Sequence, residues 1–392
     1  MNKKQFGYKV LGPIFYNFCE ILREYQLCYS DAKALYASRA GVRIKDLFIL
    51  YLKNNGYSES CDQQDFWVSR FSVYKAFLDR DFEYVLPFMI NAFLHMTYKN
   101  MLKCIIPNSK CDSKYANETI TLDIFRKIYY EDQSNCSKAL RKHFNEQEIL
   151  FNEYLDQNFS NTKNLLIIDS GWHATGQAMF MRNLKQFNWV SLYFGRWNPT
   201  GKNAWHFYNV TGCIIEHNFY NPFKPETAIL RYFHLIEDIL EPSMPSVEYY
   251  LKENGKVISN ADRSKIKAEK DPLFEGIIEY FNDSKPRISP YVISLNSKKA
   301  IKRLKKMICF PNKKIAELLV TPPRSNDFGK TTATPVLNFN RSRKLKEKIK
   351  SIKRSLWKEG QIAIEFSWLH KLINIIIEIK YYIKHIKRKL IV

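Results

Sequence analysis

The chain lacks the marks of several large protein classes. None of its eight cysteines, at 19, 28, 61, 104, 111, 136, 213 and 309, forms a C-x-x-C pair, so zinc is not indicated. A chain of 392 residues also has no need of disulfide staples, and these cysteines read as reduced packing thiols of a cytoplasmic protein. No stretch of 18 uncharged apolar residues occurs, so no spanning helix is expected. The lysines near Met1 are not followed by a long apolar run, and a signal peptide is not expected. There is no internal repeat and no nucleic-acid recognition motif, so nucleic acid is not an expected partner. Asp79-Arg80-Asp81 has the D-x-D form of a metal site, but it follows a helical stretch rather than a strand and reads as a solvated helix end. It also lacks the context of a phosphatase nucleophile, so no phosphatase domain is expected in this chain.

What is present is a packed, basic protein. Apolar residues make up 45% and aromatics 15%, which fits a globular core. The net charge of +22 calls for anionic partners: phosphorylated substrates, anionic lipid or nucleic acid. Half of that surplus lies in 341–392, which holds fifteen Lys and Arg against four Glu. There, Leu345, Ile349, Ile352 and Leu356, then Phe366, Leu369, Leu372, Ile373, Ile376, Ile379, Ile383 and Ile386, keep helical spacing between basic residues. Such a basic amphipathic helix pair suits an anionic membrane surface, or docks on the body as a terminal hairpin.

Along the chain, 14–29 has a helical apolar pattern, Ala34–Ala37 reads as a strand, Ser38–Gly41 as a polar loop and Ile44–Leu52 as a helix. Residues 66–105 read as helical and rich in aromatics, and 107–160 as polar and mixed, with apparent helices. Thr321 to about 340, with Pro322, Pro323, Asn326, Asp327 and Gly329, reads as a linker. The clearest signal is Leu165-Leu166-Ile167-Ile168-Asp169, an apolar strand ending in an acid. The loop Ser170-Gly171-Trp172-His173-Ala174-Thr175-Gly176 follows, then a helix from about Gln177 and a second strand, Trp189–Phe194. Strand, loop, helix and strand form the βαβ unit of a parallel sheet, whose ligands bind beyond the carboxyl ends of the strands. The loop has the chemistry of a phosphate-and-ribose reader. Gly171 and Gly176 let N–H groups turn toward one anion, Thr175 adds a hydroxyl, the helix directs its positive end at it, and Asp169 can accept from ribose hydroxyls. The alternative is an ordinary strand–helix turn with a capping residue.

Several segments together resemble one family. They are Gly7–Pro13, the paired Ser38-Arg39-Ala40-Gly41 and Trp67-Val68-Ser69-Arg70, and Asp169–Gln177, with Tyr193-Phe194-Gly195, Leu235-Ile236-Glu237 and Pro245-Ser246-Val247 fitting as well. Their order and spacing resemble the phosphoribosyltransferase module found beside haloacid-dehalogenase-type phosphatases in capsule and O-antigen gene clusters. The likeness spans roughly residues 6–340, with gaps. It implies transfer of ribose 5-phosphate from phosphoribosyl pyrophosphate to a glycan or polyol hydroxyl, with a separate phosphatase acting afterwards. Gly171, Thr175 and Gly176 would then hold the 5-phosphate and Asp169 the ribose. Arg39 would neutralise the leaving pyrophosphate with Mg²⁺, Arg70 would be a second such cation, and Glu237 would be the acceptor base. Ser38, Gly41, Ser69, Ser170, Trp172 and Gln177 complete the implied binding set. His173 is either a phosphate donor or a residue packed beside Trp172. One departure stands out: Ala40 replaces the aspartate of the family's Arg-Asp-Gly.

The fold expected is α/β. Residues 1–340 would form a parallel-sheet domain with a phosphoribosyltransferase-like phosphate loop and a helical insertion near 66–160, followed by a basic helical tail at 341–392. The protein is expected to be cytoplasmic, peripheral to the inner membrane face, with a glycan or lipid-linked acceptor. A nucleotide-sugar glycosyltransferase and a catalytically degenerate scaffold are the competing functions.

Overall fold

A computed structural model describes residues 1–93, 95–198, 204–325, 328, 333–339, 344–366 and 368–390. Helix α1 (Lys3–Phe6) passes through a π-helical turn at Gly7–Leu11 into α2 (Gly12–Cys28). Strand β1 (Lys33–Ala37), α3 (Ala40–Asn55) and β2 (Asp62–Phe66) follow. Five helices then separate β2 from β3: α4 (Arg70–Phe77), α5 (Phe82–Asn91), α6 (Tyr98–Ile105), α7 (Leu122–Tyr130) and α8 (Asn135–Phe159). Beyond them come β3 (Asn164–Trp172), α9 (Thr175–Asn183), β4 (Asn188–Arg196) and β5 (Val210–Glu216).

These five strands form an all-parallel sheet in the order β2-β1-β3-β4-β5. Parallel strands require crossovers, and those crossovers cover both faces. Side-chain alternation divides the core accordingly. Ala34, Tyr36, Leu166, Ile168, Leu192 and Phe194 face one cluster, which includes α2 and α3. Leu35, Leu165, Ile167, Trp189 and Tyr193 face the other, which includes the inserted helices and α9. Chain direction across the sheet reverses between β1 and β3. A crevice forms there, at the carboxyl ends of the strands, where open α/β sheets bind ligands.

The remainder packs around this frame. It comprises α10 (His234–Leu240), the hairpin β6 (Tyr250–Glu253) and β7 (Lys256–Ser259), α11 (Pro272–Asp283), α12 (Pro290–Cys309) and α13 (Lys313–Leu319). A two-residue pair, β8 (Arg324–Ser325) with β9 (Ala333–Thr334), occupies part of the expected linker, of which Asn326, Asp327 and Gly329 lie outside the described residues. The chain ends in α14 (Leu345–Arg354), α15 (Lys358–Glu365) and α16 (His370–Leu390). In this last segment, whose residues 341–343 are also outside the description, α15 is part of the core. Trp357 is fully buried, stacks on Tyr232 at 4.6 Å and donates its indole N–H to Ile308 O at 3.1 Å. Truncation of such a residue costs about 3–5 kcal/mol, which ties the segment firmly to the body. All eight cysteines are free thiols, and among the described residues no helix is long and apolar enough to cross a membrane.

Candidate functional site

Three of the segments singled out in the sequence meet at the crevice. The β1–β3 register pairs Tyr36 with Ile168, so the turn after β1 lies beside Asp169. Arg39 opens α3 with φ 68° and ψ −88°, a conformation that costs a non-glycine residue about 1–3 kcal/mol. The β3 loop concentrates positive φ as well, at Gly171 (95°), Trp172 (85°) and Ala174 (53°). Only glycine fits at 171, because a Cβ there would sit 2.4 Å from Tyr193 Cβ and 2.5 Å from Gly195 O. Strain of this kind gathers where a fold presents a site. Ala174 gives α9 no side-chain cap. The N–H groups of Thr175, Gly176 and Gln177 belong to the first helical turn, which has no intrahelical acceptors. They therefore remain suited to an anion.

Asp169 is partly buried, accepts the Ser170 N–H at 2.7 Å and, among the described residues, has no ion-pair partner. Burial drives its pKa up to about 7; the Ser170 N–H opposes this, the nearby Glu241 adds to it, and Arg39 offsets part of it. Helix α10 and Glu241, the residue that caps its carboxyl end, supply the facing acids. Glu241 bridges Arg39 at 3.2 Å and Arg324 at 2.8 Å, and Arg324 also lies 3.5 Å from Asp238. Burial, opposed by Arg324, raises Asp238 to about 6. For Glu237 burial also pushes the pKa up but is outweighed: a His234 hydrogen bond and the charges of His234, Arg324 and Arg70 hold its carboxyl below the usual range. Two carboxyls displaced toward neutrality among three arginines have the character of a site that handles charge.

His234 Nδ1 lies 3.0 Å from Glu237 Oε2, and a carboxylate only accepts, so that nitrogen carries the proton. Its Nε2 is then the basic nitrogen, oriented by the carboxylate. His173 is arranged similarly: Nδ1 donates to Trp197 O at 3.2 Å, and the ring packs tilted against Trp197 at 5.0 Å. Its ring therefore packs beside Trp197. Trp172 is itself buried against Phe233, at 5.4 Å. Arg70, at the start of α4, is exposed and has no ion-pair partner among the described residues. Its charge reaches both His173 and Glu237.

Other predicted site residues have structural duties. Gln177 is fully buried, donating to Trp189 O at 3.0 Å and accepting from Ser191 Oγ at 2.7 Å, so its amide faces the core rather than a ligand. Ser38 Oγ donates to Val68 O and so ties the β1 turn to the β2 turn. Ser69 caps α4 and donates to Val247 O. Gly41 permits close approach, since a Cβ there would stand 2.5 Å from the Tyr36 backbone. Ser170 is buried behind Asp169, whereas Thr175 and Gly176 are partly exposed at the helix start. Ala40 is buried in the first turn of α3. The Asp79-Arg80-Asp81 segment lies in ion pairs, Arg80 with Glu148 at 2.8 Å and Asp81 with Arg182.

Sequence reasoning missed His234, Asp238, Glu241 and Arg324. Arg324 falls in the stretch read as linker, and nothing local marks it. His234 and Glu237 are three apart on one helix face, a signal present in the sequence. His234 also lines a cavity of about 370 Å³ together with Trp197, Phe233, Arg231, Lys384 and Arg388. That cavity adjoins the crevice on the side of α16. Among the described residues, no three His, Cys, Asp or Glu side chains gather to hold a metal ion. No protein-family model matches the sequence, and no curated protein matches it.

Proposed function

We propose that the crevice transfers ribose 5-phosphate from phosphoribosyl pyrophosphate to a hydroxyl of a glycan or polyol. The observation that carries this reading is the convergence of the Arg39 turn, the Arg70 helix start and the Asp169–Gly176 loop at the reversal point of a parallel sheet. In this reading the 5-phosphate lies against the N–H groups that open α9, and Asp169 accepts from the ribose hydroxyls. Glu241 occupies, between Arg39 and Arg324, the place of an anion; the arriving pyrophosphate displaces it and takes both arginines. Mg²⁺ binds substrate phosphates through one or two protein carboxylates, and Asp169, without an arginine partner, fits that demand. When bound, the ion supplies further neutralisation of the leaving pyrophosphate.

The acceptor approaches from the adjoining cavity, whose aromatic walls and basic groups suit a sugar chain carrying phosphate. The bond from C1 to pyrophosphate breaks, and one from C1 to the acceptor oxygen forms with inversion. The acceptor proton passes to His234 Nε2. Glu237, held ionised, orients His234 and is a weaker base than the resemblance implied. A separate phosphatase would remove the 5-phosphate. Ala40 favours a second reading, a scaffold that binds the donor without turnover, because it withdraws a carboxylate from the β1 turn.

Phosphorus NMR of the full chain with phosphoribosyl pyrophosphate, Mg²⁺ and a panel of polyols and glycans separates these readings. Acceptor-dependent release of pyrophosphate is the predicted result. Release of nucleotide from a nucleotide sugar, with the first donor untouched, would overturn the proposal, and a donor bound but never cleaved would favour the scaffold.

A further inference from the structure

Helix α16 is amphipathic, yet it meets the body with its polar side. His370, Asn374 and Glu378, spaced by four, are its buried residues among those described. Glu378 accepts from Arg231 at 2.7 Å and from the Tyr220 hydroxyl, with Lys305 3.7 Å away. Arg231 in turn lies against the rings of both Tyr220 and Tyr381 and is paired with Glu359. On the opposite side Leu372 (55% exposed), Ile375, Ile376 (58%), Ile379, Ile383 and Ile386 form one stripe in solvent. Trp368, 82% exposed, stands at the same end. A helix docked on its own protein ordinarily buries such a stripe.

Charge is sorted in the same direction. The one acid of α16 is Glu378, which is inside, whereas Lys371, Lys380, Lys384 and Lys387 are exposed beside the stripe. Helix α14 also exposes apolar residues, Leu345 and Ile349, among Lys346, Lys350, Lys353 and Arg354, with its one acid, Glu347, exposed as well. We propose that α16 seats the protein on an anionic bilayer, lying in the interface with its isoleucines in the acyl boundary and its lysines at the headgroups. Helix α16 is about 31 Å long, ample for an in-plane contact. A second copy is a poorer occupant. A two-fold contact would set identical lysine rims against each other, and like charges repel. The inference rests on this face alone and stands apart from the chemistry of the crevice.

The test uses the full chain and vesicles of phosphatidylcholine, with or without phosphatidylglycerol. Sedimentation with the anionic vesicles, weakening as salt rises, is expected. The double variant Ile379→Asp, Ile383→Asp should lose about tenfold or more in partitioning at an unchanged melting temperature, because both side chains are half exposed. Wild type failing to bind anionic vesicles at low salt would overturn the proposal, as would a double variant that binds as well as wild type. A lipid-free dimer that the same substitutions dissociate would overturn it too, by identifying the occupant as a second copy.

Discussion

Asp169 carries a cost that a purely structural residue would avoid. Its pKa of about 7 lies above the unfolded value of about 3.9, so the folded state holds the proton more tightly. The stability gained from it is complete below the unfolded value and is lost as pH rises through 7. Above that, the native state keeps a charge in a partly buried position. Asp169→Asn removes this cost. The variant should be more stable than wild type at pH 8, by about 1–2 kcal/mol after discounting for partial exposure, and so melt higher, and the difference should vanish near pH 4. Thermal melts at both pH values check this; a variant less stable than wild type at pH 8 would show that the carboxylate serves the fold. His234 and Glu237 form the second unit at this scale, and their hydrogen bond fixes which imidazole nitrogen is basic.

At the scale of elements, legibility followed burial. β1 and β3 were readable because both are apolar runs that stop at a polar loop. β2, Asp-Gln-Gln-Asp-Phe, was not, since an edge strand exposes side chains and four of its five are polar. β5 escaped for a related reason: Gly212 and its alternately buried residues break the pattern. In the β3 loop the helix starts at Thr175 rather than Gln177. That shift turns Gln177 inward, and a helix face cannot be assigned before its first residue is known. Gln177→Leu should therefore cost about 2–3 kcal/mol by stranding Trp189 O and the Ser191 hydroxyl, while donor affinity in the folded protein stays as in wild type. Urea unfolding together with ligand titration measures both. Lost affinity at normal stability would return Gln177 to the site.

For the whole molecule, topology does what no local pattern announces. The reversal between β1 and β3 brings residues 39, 70 and 169 to one crevice, and α10 and Arg324, far along the chain, close its other side. The loops were legible because their chemistry is local. The acids and arginines opposite were not, because only packing brings them there. The excess of positive charge likewise acquires meaning only in three dimensions, where α16 buries its acid and shows its lysines.

Calorimetric titration of the full chain with phosphoribosyl pyrophosphate and Mg²⁺, repeated with Asp169→Asn, tests the central claim most directly. The account predicts saturable binding by wild type that falls at least about tenfold in the variant, the loss of a charge-assisted hydrogen bond. Equal binding by both proteins, or none by wild type, would contradict it.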